Sequence, residues 1–165
     1  ERAMAIVSWF GFPPQSRVLP ATYAAALWVA RFRLEAAFQL AAWGSALLST
    51  IVKSFVRRQR PAAGKDLRVV AAPLGGSSFP SGHVLTYVGV YGWMAIMADR
   101  LVRPLLLRRL VVTALATLIV AIGPSRIHLG HHWPTDVAAS YLLGSSYLAA
   151  LLVAYRRLQT RRVLE

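Results

Sequence analysis

The sequence predicts an all-α fold, a polytopic transmembrane helical bundle with a loop region gathered at one membrane face. Three observations lead there. Of the 165 residues, 56% are hydrophobic, above the roughly 45–50% of ordinary soluble domains. Five long apolar stretches follow one another along the chain, and the basic residues punctuate them instead of lining a polar face.

The stretches are Val18 to Ala30, Leu34 to Val56, Val84 to Ala98, Leu105 to Gly123, and Val137 to Tyr155. A full span takes about 20 apolar residues, so the first and third are short. Flanking arginines compensate by snorkelling to the interface. A buried core helix of a soluble protein is the alternative for any one stretch, whereas five together favour a bilayer. Residues 1–17 read as the remnant of a first helix or an interfacial segment, with a short apolar run at Ala3 to Phe12. No small-residue cleavage site marks a signal peptide there. Between the second and third stretches lies the single long loop, Arg57 to Gly82, with Pro61, Pro73, Pro80 and the pair Gly75-Gly76. A loop of that length bounded by motifs is expected to be functional. No repeat is found at a fixed period, and the length fits one domain, 1–165.

A net charge of +13 raises the question of nucleic acid, which basic modules bind through polar helices or exposed sheets. Cations set between apolar stretches suit anionic lipid headgroups instead, so membrane lipids are expected as partners and nucleic acid is not. The chain has no cysteine, which removes disulfides and thiolate metal sites.

Three islands of polar residues carry the chemistry. In the first, Lys53, Arg57 and Arg60 fall at i, i+4 and i+7 before Pro61. A helix persisting that far puts all three cations on one face, where they could surround a phosphate dianion, and Pro61 would end it; a plain cationic anchor is the other reading. The second is Phe79-Pro80-Ser81-Gly82-His83, directly before an apolar helix. Unpaired N–H groups of a first helical turn cradle phosphate, though Ser81 as a simple N-cap would give the same pattern. The third is Ser125-Arg126, then His132, then Asp136. A carboxylate four residues after a histidine can accept its Nδ1–H and leave Nε2 as a nucleophile, with Arg126 as a further phosphate clamp. His128 and His131 stand close by, and an interfacial or metal-binding histidine cluster is the alternative, with one nearby carboxylate and no further ligands at suitable spacing. Spacing selects His132 over His131, since only His132 lies four before Asp136.

Together, in this order and spacing, the islands resemble the three-part signature of the type-2 phosphatidic acid phosphatase family, which is itself related to vanadium haloperoxidases and bacterial acid phosphatases. The match runs from Lys53 to Asp136. The resemblance implies that Lys53, Arg60 and Arg126 hold the phosphate oxygens together with Ser81 and the Gly82 N–H. It implies that His83 protonates the leaving group, His132 attacks phosphorus and Asp136 orients His132; Gly130 fits the family's glycine in the third motif. The lipid-phosphatase branch has six membrane helices, whereas five stretches plus the 1–17 remnant are found here.

The expected function is an integral-membrane lipid phosphatase that works through a phosphohistidine, with no cofactor or metal. Phosphatidic acid, phosphatidylglycerophosphate and polyprenyl phosphate or pyrophosphate are all candidate substrates. A non-catalytic membrane protein that binds lipid phosphate, or a scaffold, is the alternative. Alternating spans bring the three islands, and with them the catalytic loop region, to one membrane face. Arg31, Arg33, Arg100, Arg103, Arg108, Arg109, Arg156, Arg157, Arg161 and Arg162 collect on the other. The positive-inside bias then predicts a multi-pass protein of the plasma (inner) membrane whose site faces the periplasm or cell exterior.

Overall fold

The computed structural model describes residues 2–62 and 75–164. The middle of the long loop, with Lys65, Arg68 and Pro73, and the side chain of Arg162 lie outside the described residues. The architecture is all-helical: α1 (Arg2–Trp9), α2 (Gln15–Val29), α3 (Arg33–Ala42), α4 (Gly44–Phe55), α5 (Gly82–Thr86), α6 (Gly92–Leu101), α7 (Leu105–His128) and α8 (Pro134–Leu164). A π-helical turn at Tyr87–Tyr91 joins α5 to α6 without a break.

Among the described residues two helices, α7 over its 24 residues and α8 over Pro134–Arg161, are long and apolar enough to cross a bilayer. At 1.5 Å per residue α7 extends about 36 Å, more than a hydrocarbon core of about 30 Å. Its side chains point outward for most of that length: Leu106 and Val120 are 72% and 68% exposed, and burial is confined to the C-terminal end at Ile122, Gly123, Ser125 and Arg126. An outward-facing apolar helix is stabilised by lipid, not by water.

The second apolar stretch, expected as one helix, is interrupted at Trp43. Hydroxyl groups take over the carbonyls that the interruption frees. Tyr147 Oη donates to Ala41 O at 2.6 Å and Ser45 Oγ to Ala42 O at 2.8 Å. Gly44 lets the Tyr147 ring come that close, since a Cβ there would sit 2.1 Å from the Tyr147 hydroxyl oxygen. A break is tolerated in an apolar helix only when such partners re-satisfy the backbone.

The π-helical turn is buried at every residue and forms the centre of one core cluster with Val84, Ile122 and Val137. A second cluster lies toward the other end, where Trp93 stacks on Phe38 with centroids 5.4 Å apart and meets Tyr155 edge-on at 5.2 Å. Tyr155 donates to Glu35 Oε1 at 2.7 Å, and Arg100 lies over the Tyr155 ring. These contacts tie α3, α6 and α8 together.

Gly89 marks the closest approach of the π turn to the α3–α4 break. A Cβ there would lie 2.5 Å from Ser45 Oγ and 3.0 Å from Ala42 O. Gly89→Val is therefore expected to destabilise the protein by about 1–3 kcal/mol through overpacking, read as a lower Tm in detergent micelles; an unchanged Tm would mean that the two segments separate freely.

Candidate active site

The C-terminal ends of α4 and α7 and the N-terminal ends of α5 and α8 meet at one end of the bundle, where the chain segments between them carry all three islands. The first island does not reach the site as a helical face. Helix α4 ends at Phe55, and Val56 is extended at φ −101°, ψ 99°, so Lys53, Arg57 and Arg60 do not share one helical stripe and Pro61 is not what stops the helix. The reason lies across the loop. Arg58 O accepts from Ser78 N at 2.9 Å, Gln59 O accepts from Ser78 Oγ at 3.0 Å and from Trp133 Nε1 at 2.9 Å, and Ser77 Oγ bridges Val56 O and Arg58 N. Backbone groups with partners in other segments have no need of a helical ladder.

The returning segment, 75–78, acts as an acceptor template for the cations. Lys53 Nζ donates to Ser77 O at 2.8 Å, and Arg60 Nη2 donates to the same oxygen at 3.1 Å. Arg60 Nε faces the carbonyls of Gly75 and Gly76 at 3.3 Å each. Its Nη1 reaches His131 O at 2.7 Å and stands 3.5 Å from His132 Nε2. Gly76 adopts φ +74°, the left-handed region that glycine occupies without strain.

At the end of α7 the chain turns through Gly130, φ +72°, with Gly130 N donating to Ile127 O and His131 N to Arg126 O. This left-handed C-terminal cap folds the chain back so that His131 and His132 face the end of α7. His132 is 3% exposed. Its Nδ1 lies 2.6 Å from Ser78 O, the geometry of an Nδ1–H donor, which leaves the Nε2 lone pair toward Arg60.

Asp136 does not take the role that its spacing suggested. Its Oδ2 is 3.9 Å from His132 Nδ1, too far for a hydrogen bond, and the Ser78 carbonyl holds that proton instead. Asp136 accepts from Trp133 N at 3.0 Å at the start of α8 and from Arg58 Nη1 at 2.5 Å. The carboxylate thus fixes the backbone that carries His132 and neutralises a cation that the motif reading passed over. Arg58 had no sequence signal separating it from Arg57, since only the extended backbone turns it toward α8.

Arg126 is fully buried. Its Nη1 donates to Ser8 Oγ at 2.9 Å, its Nη2 pairs with His131 Nδ1, and its guanidinium lies over the Phe12 ring. The amino-terminal segment therefore forms a wall of the site: Ser8 Oγ and Ser125 Oγ are 2.8 Å apart, Ser125 Oγ donates to Met4 O, and Tyr87 Oη donates to Val7 O. Phe12 meets His83 edge-on at 4.6 Å, and a Cβ on Gly11 would come within 2.2 Å of the His83 ring. Nothing in residues 1–17 announced this, because a serine and a glycine in an apolar run carry no motif.

Among the described residues Ser81 Oγ, His83 Nε2 and Arg126 Nε are buried without a hydrogen-bond partner. Buried polar atoms left over from the protein's own hydrogen bonding, set beside cations, suit an anion-binding site. Ser81 N donates to Ser140 Oγ at 2.7 Å, which sets the start of α5 against α8. His128 is exposed on the last turn of α7. Among the described residues no three His, Cys, Asp or Glu side chains gather at metal-ligand spacing.

Burial, reinforced by Arg60, pushes His132 down to about 3; burial, reinforced first by Arg126 and then by His132, pushes His83 down to about 2. Lys53 also acts on both imidazoles. Lys53, His83, Arg126 and His132 are therefore close enough to sense one another's charge, and Arg60 joins them through His132.

A helical bundle with apolar, outward-facing spans and a cationic site holding two neutral imidazoles defines the class as a membrane phosphatase. The sequence profile of the PAP2 superfamily matches residues 32–160, and the chain belongs to that superfamily. Its fold is similar to that of a transmembrane PAP2-type phosphatidylglycerolphosphate phosphatase from Bacillus subtilis. The TM-score is 0.79 at 23% identity, over 94% of this chain and 76% of that one.

Two outcomes are expected from this geometry. Ser8→Ala leaves a buried guanidinium N–H without its acceptor, a loss of about 1–3 kcal/mol that lowers Tm in micelles; no change would mean that α1 is not seated on α7. The imidazoles give a pH signature. The unfolded chain takes up their protons at about 6.5, the folded one only near 3 or below, so stability falls as pH drops from about 6.5 toward 3. The Tm of the His132→Gln variant should fall less steeply over that window, and parallel profiles would contradict a buried neutral imidazole at 132.

Proposed function

We propose that the protein hydrolyses the phosphomonoester or pyrophosphate of a lipid by forming a phosphohistidine on His132. The observation that carries this reading is the His132 ring itself, whose Nδ1–H is held by a backbone carbonyl while Nε2 points at the Arg60 guanidinium. That arrangement readies a neutral nucleophile beside a phosphate-binding cation.

In this reading Lys53, Arg60 and Arg126, with Ser81 and the Gly82 N–H, hold the three non-bridging oxygens. Fixed cations and N–H donors in a partly dry site match the charge that develops on a transferring phosphoryl group. His132 Nε2 attacks phosphorus in line, the P–O bond to the lipid breaks, and His83 gives the leaving oxygen a proton. Water then attacks the phosphohistidine with His83 as base. A bound dianion opposes the surrounding cations, raises the His83 pKa and so supplies the proton that this role needs. Asp136 acts by anchoring the start of α8 and Arg58. No step calls for a metal.

The substrate class is a lipid phosphate, with phosphatidic acid, phosphatidylglycerophosphate and polyprenyl phosphate or pyrophosphate as candidates. Ten arginines at the opposite end of the spans support a plasma (inner) membrane protein with its site turned to the periplasm or cell exterior. His132→Ala is expected to lower phosphate release in detergent at least about a thousandfold, as removal of a nucleophile does. Rapid quench of the wild type with phosphate-labelled substrate should trap label that survives alkali and is lost in acid. Undiminished turnover in the variant would remove the mechanism, and binding without turnover in the wild type would favour a non-catalytic lipid-phosphate-binding protein.

A further inference from the structure

An in-line displacement puts the leaving group opposite the nucleophile. A cavity of about 350 Å³ between α2, α4 and α5 is bordered by His83 and Lys53, and His132 is not among its lining residues. Because His83, the proton donor to the leaving oxygen in the proposed reaction, lines this cavity, the leaving group extends into it, and this inference rests on that reading.

The chemistry of the cavity says what kind of leaving group fits. Ser16, Ser49 and Thr50 contribute hydroxyls, Arg17 contributes a second cation in addition to Lys53, and no carboxylate borders it among the described residues. Ser49 is 3% exposed and its Oγ has no hydrogen-bond partner among the described residues. Lys53 donates to Ser77 O and in the proposed reaction serves the scissile phosphate, whereas the exposed Arg17 guanidinium has no hydrogen bond or ion pair among the described residues. The backbone N–H groups of Ser16 and Arg17 are taken by Phe12 O and Pro14 O, so only the side chain is left to meet an anion. A diacylglycerol leaving group would bring neutral ester carbonyls to this cavity. A phosphoglycerol phosphodiester, or the second phosphate of a diphosphate, would bring a full negative charge to Arg17, with guanidinium geometry suited to two phosphate oxygens.

We infer that Arg17 is a specificity-determining residue, forming with Ser49 a subsite for a second phosphate on the leaving-group side of the scissile bond. Arg17 lies outside the stretch 32–160 that matches the superfamily profile, whereas Ser49 lies within it, so the cation of the subsite comes from a part of the chain that the profile does not cover.

The test is phosphate release in mixed micelles by the wild type and Arg17→Gln, on two matched pairs. One pair is phosphatidylglycerophosphate against phosphatidic acid, and the other is a polyprenyl diphosphate against its monophosphate. The ratio of kcat/KM for the two-phosphate over the single-phosphate lipid should fall about tenfold in the variant, chiefly through KM. A fall in one pair alone identifies whether the phosphodiester or the diphosphate occupies the subsite. An equal loss on all four lipids, or none, overturns the subsite while leaving the phosphatase reading intact. Failure of the wild type to release phosphate from any of them overturns the phosphatase reading and the subsite with it.

Discussion

Like charge held at close range is the constraint on which the rest of this structure depends. Lys53, Arg58, Arg60 and Arg126 converge on one end of the bundle, with Asp136 as the one carboxylate paired there among the described residues. Unopposed cations in a medium of low dielectric repel strongly, so each is tethered by an acceptor that belongs to the scaffold. Backbone carbonyls of Ser77 and His131 hold Lys53 and Arg60, the Ser8 hydroxyl and His131 hold Arg126, and Asp136 holds Arg58. The protein thereby keeps a standing excess of positive charge, which a phosphate dianion relieves on binding. The same charge, added to burial, keeps both imidazoles neutral and so leaves a lone pair available on His132.

The acceptor template explains the odd shape of the segments between α4 and α5. Residues 56–60 and 75–78 are neither helix nor sheet, and they lie against each other because each satisfies the other's backbone. Their carbonyls then point at the cations and at His132 Nδ1. Ser78 does two jobs: its N–H and Oγ fix the 58–59 backbone, while its carbonyl sets the tautomer of His132. A carbonyl is a steadier partner for that proton than a carboxylate, since it never titrates.

Much of the site could be read in the residues. Arg126, His132 and Asp136 are separated by short local spacings, and the Pro80-Ser81-Gly82 run before an apolar helix reports a local backbone event. Gly130 likewise reports the positive φ that a left-handed cap requires. What stayed illegible were partners far apart in sequence: Ser8 with Arg126, Ser78 with His132, Arg58 with Asp136, Tyr147 with Ala41. Composition and periodicity describe a residue's neighbours along the chain, and these contacts join residues between 54 and 118 positions apart.

By itself the sequence determined that the chain is helical, that its apolar stretches seek a bilayer, and that three polar islands fall at helix ends, because hydrophobic run length and local turn chemistry are properties of adjacent residues. Tertiary structure alone decided that α4 stops at Phe55, that the second apolar stretch breaks at Trp43, and that a carbonyl in place of Asp136 holds His132. Those outcomes depend on which distant group offers a backbone or imidazole its best hydrogen bond. Only after the chain has packed do such partners exist.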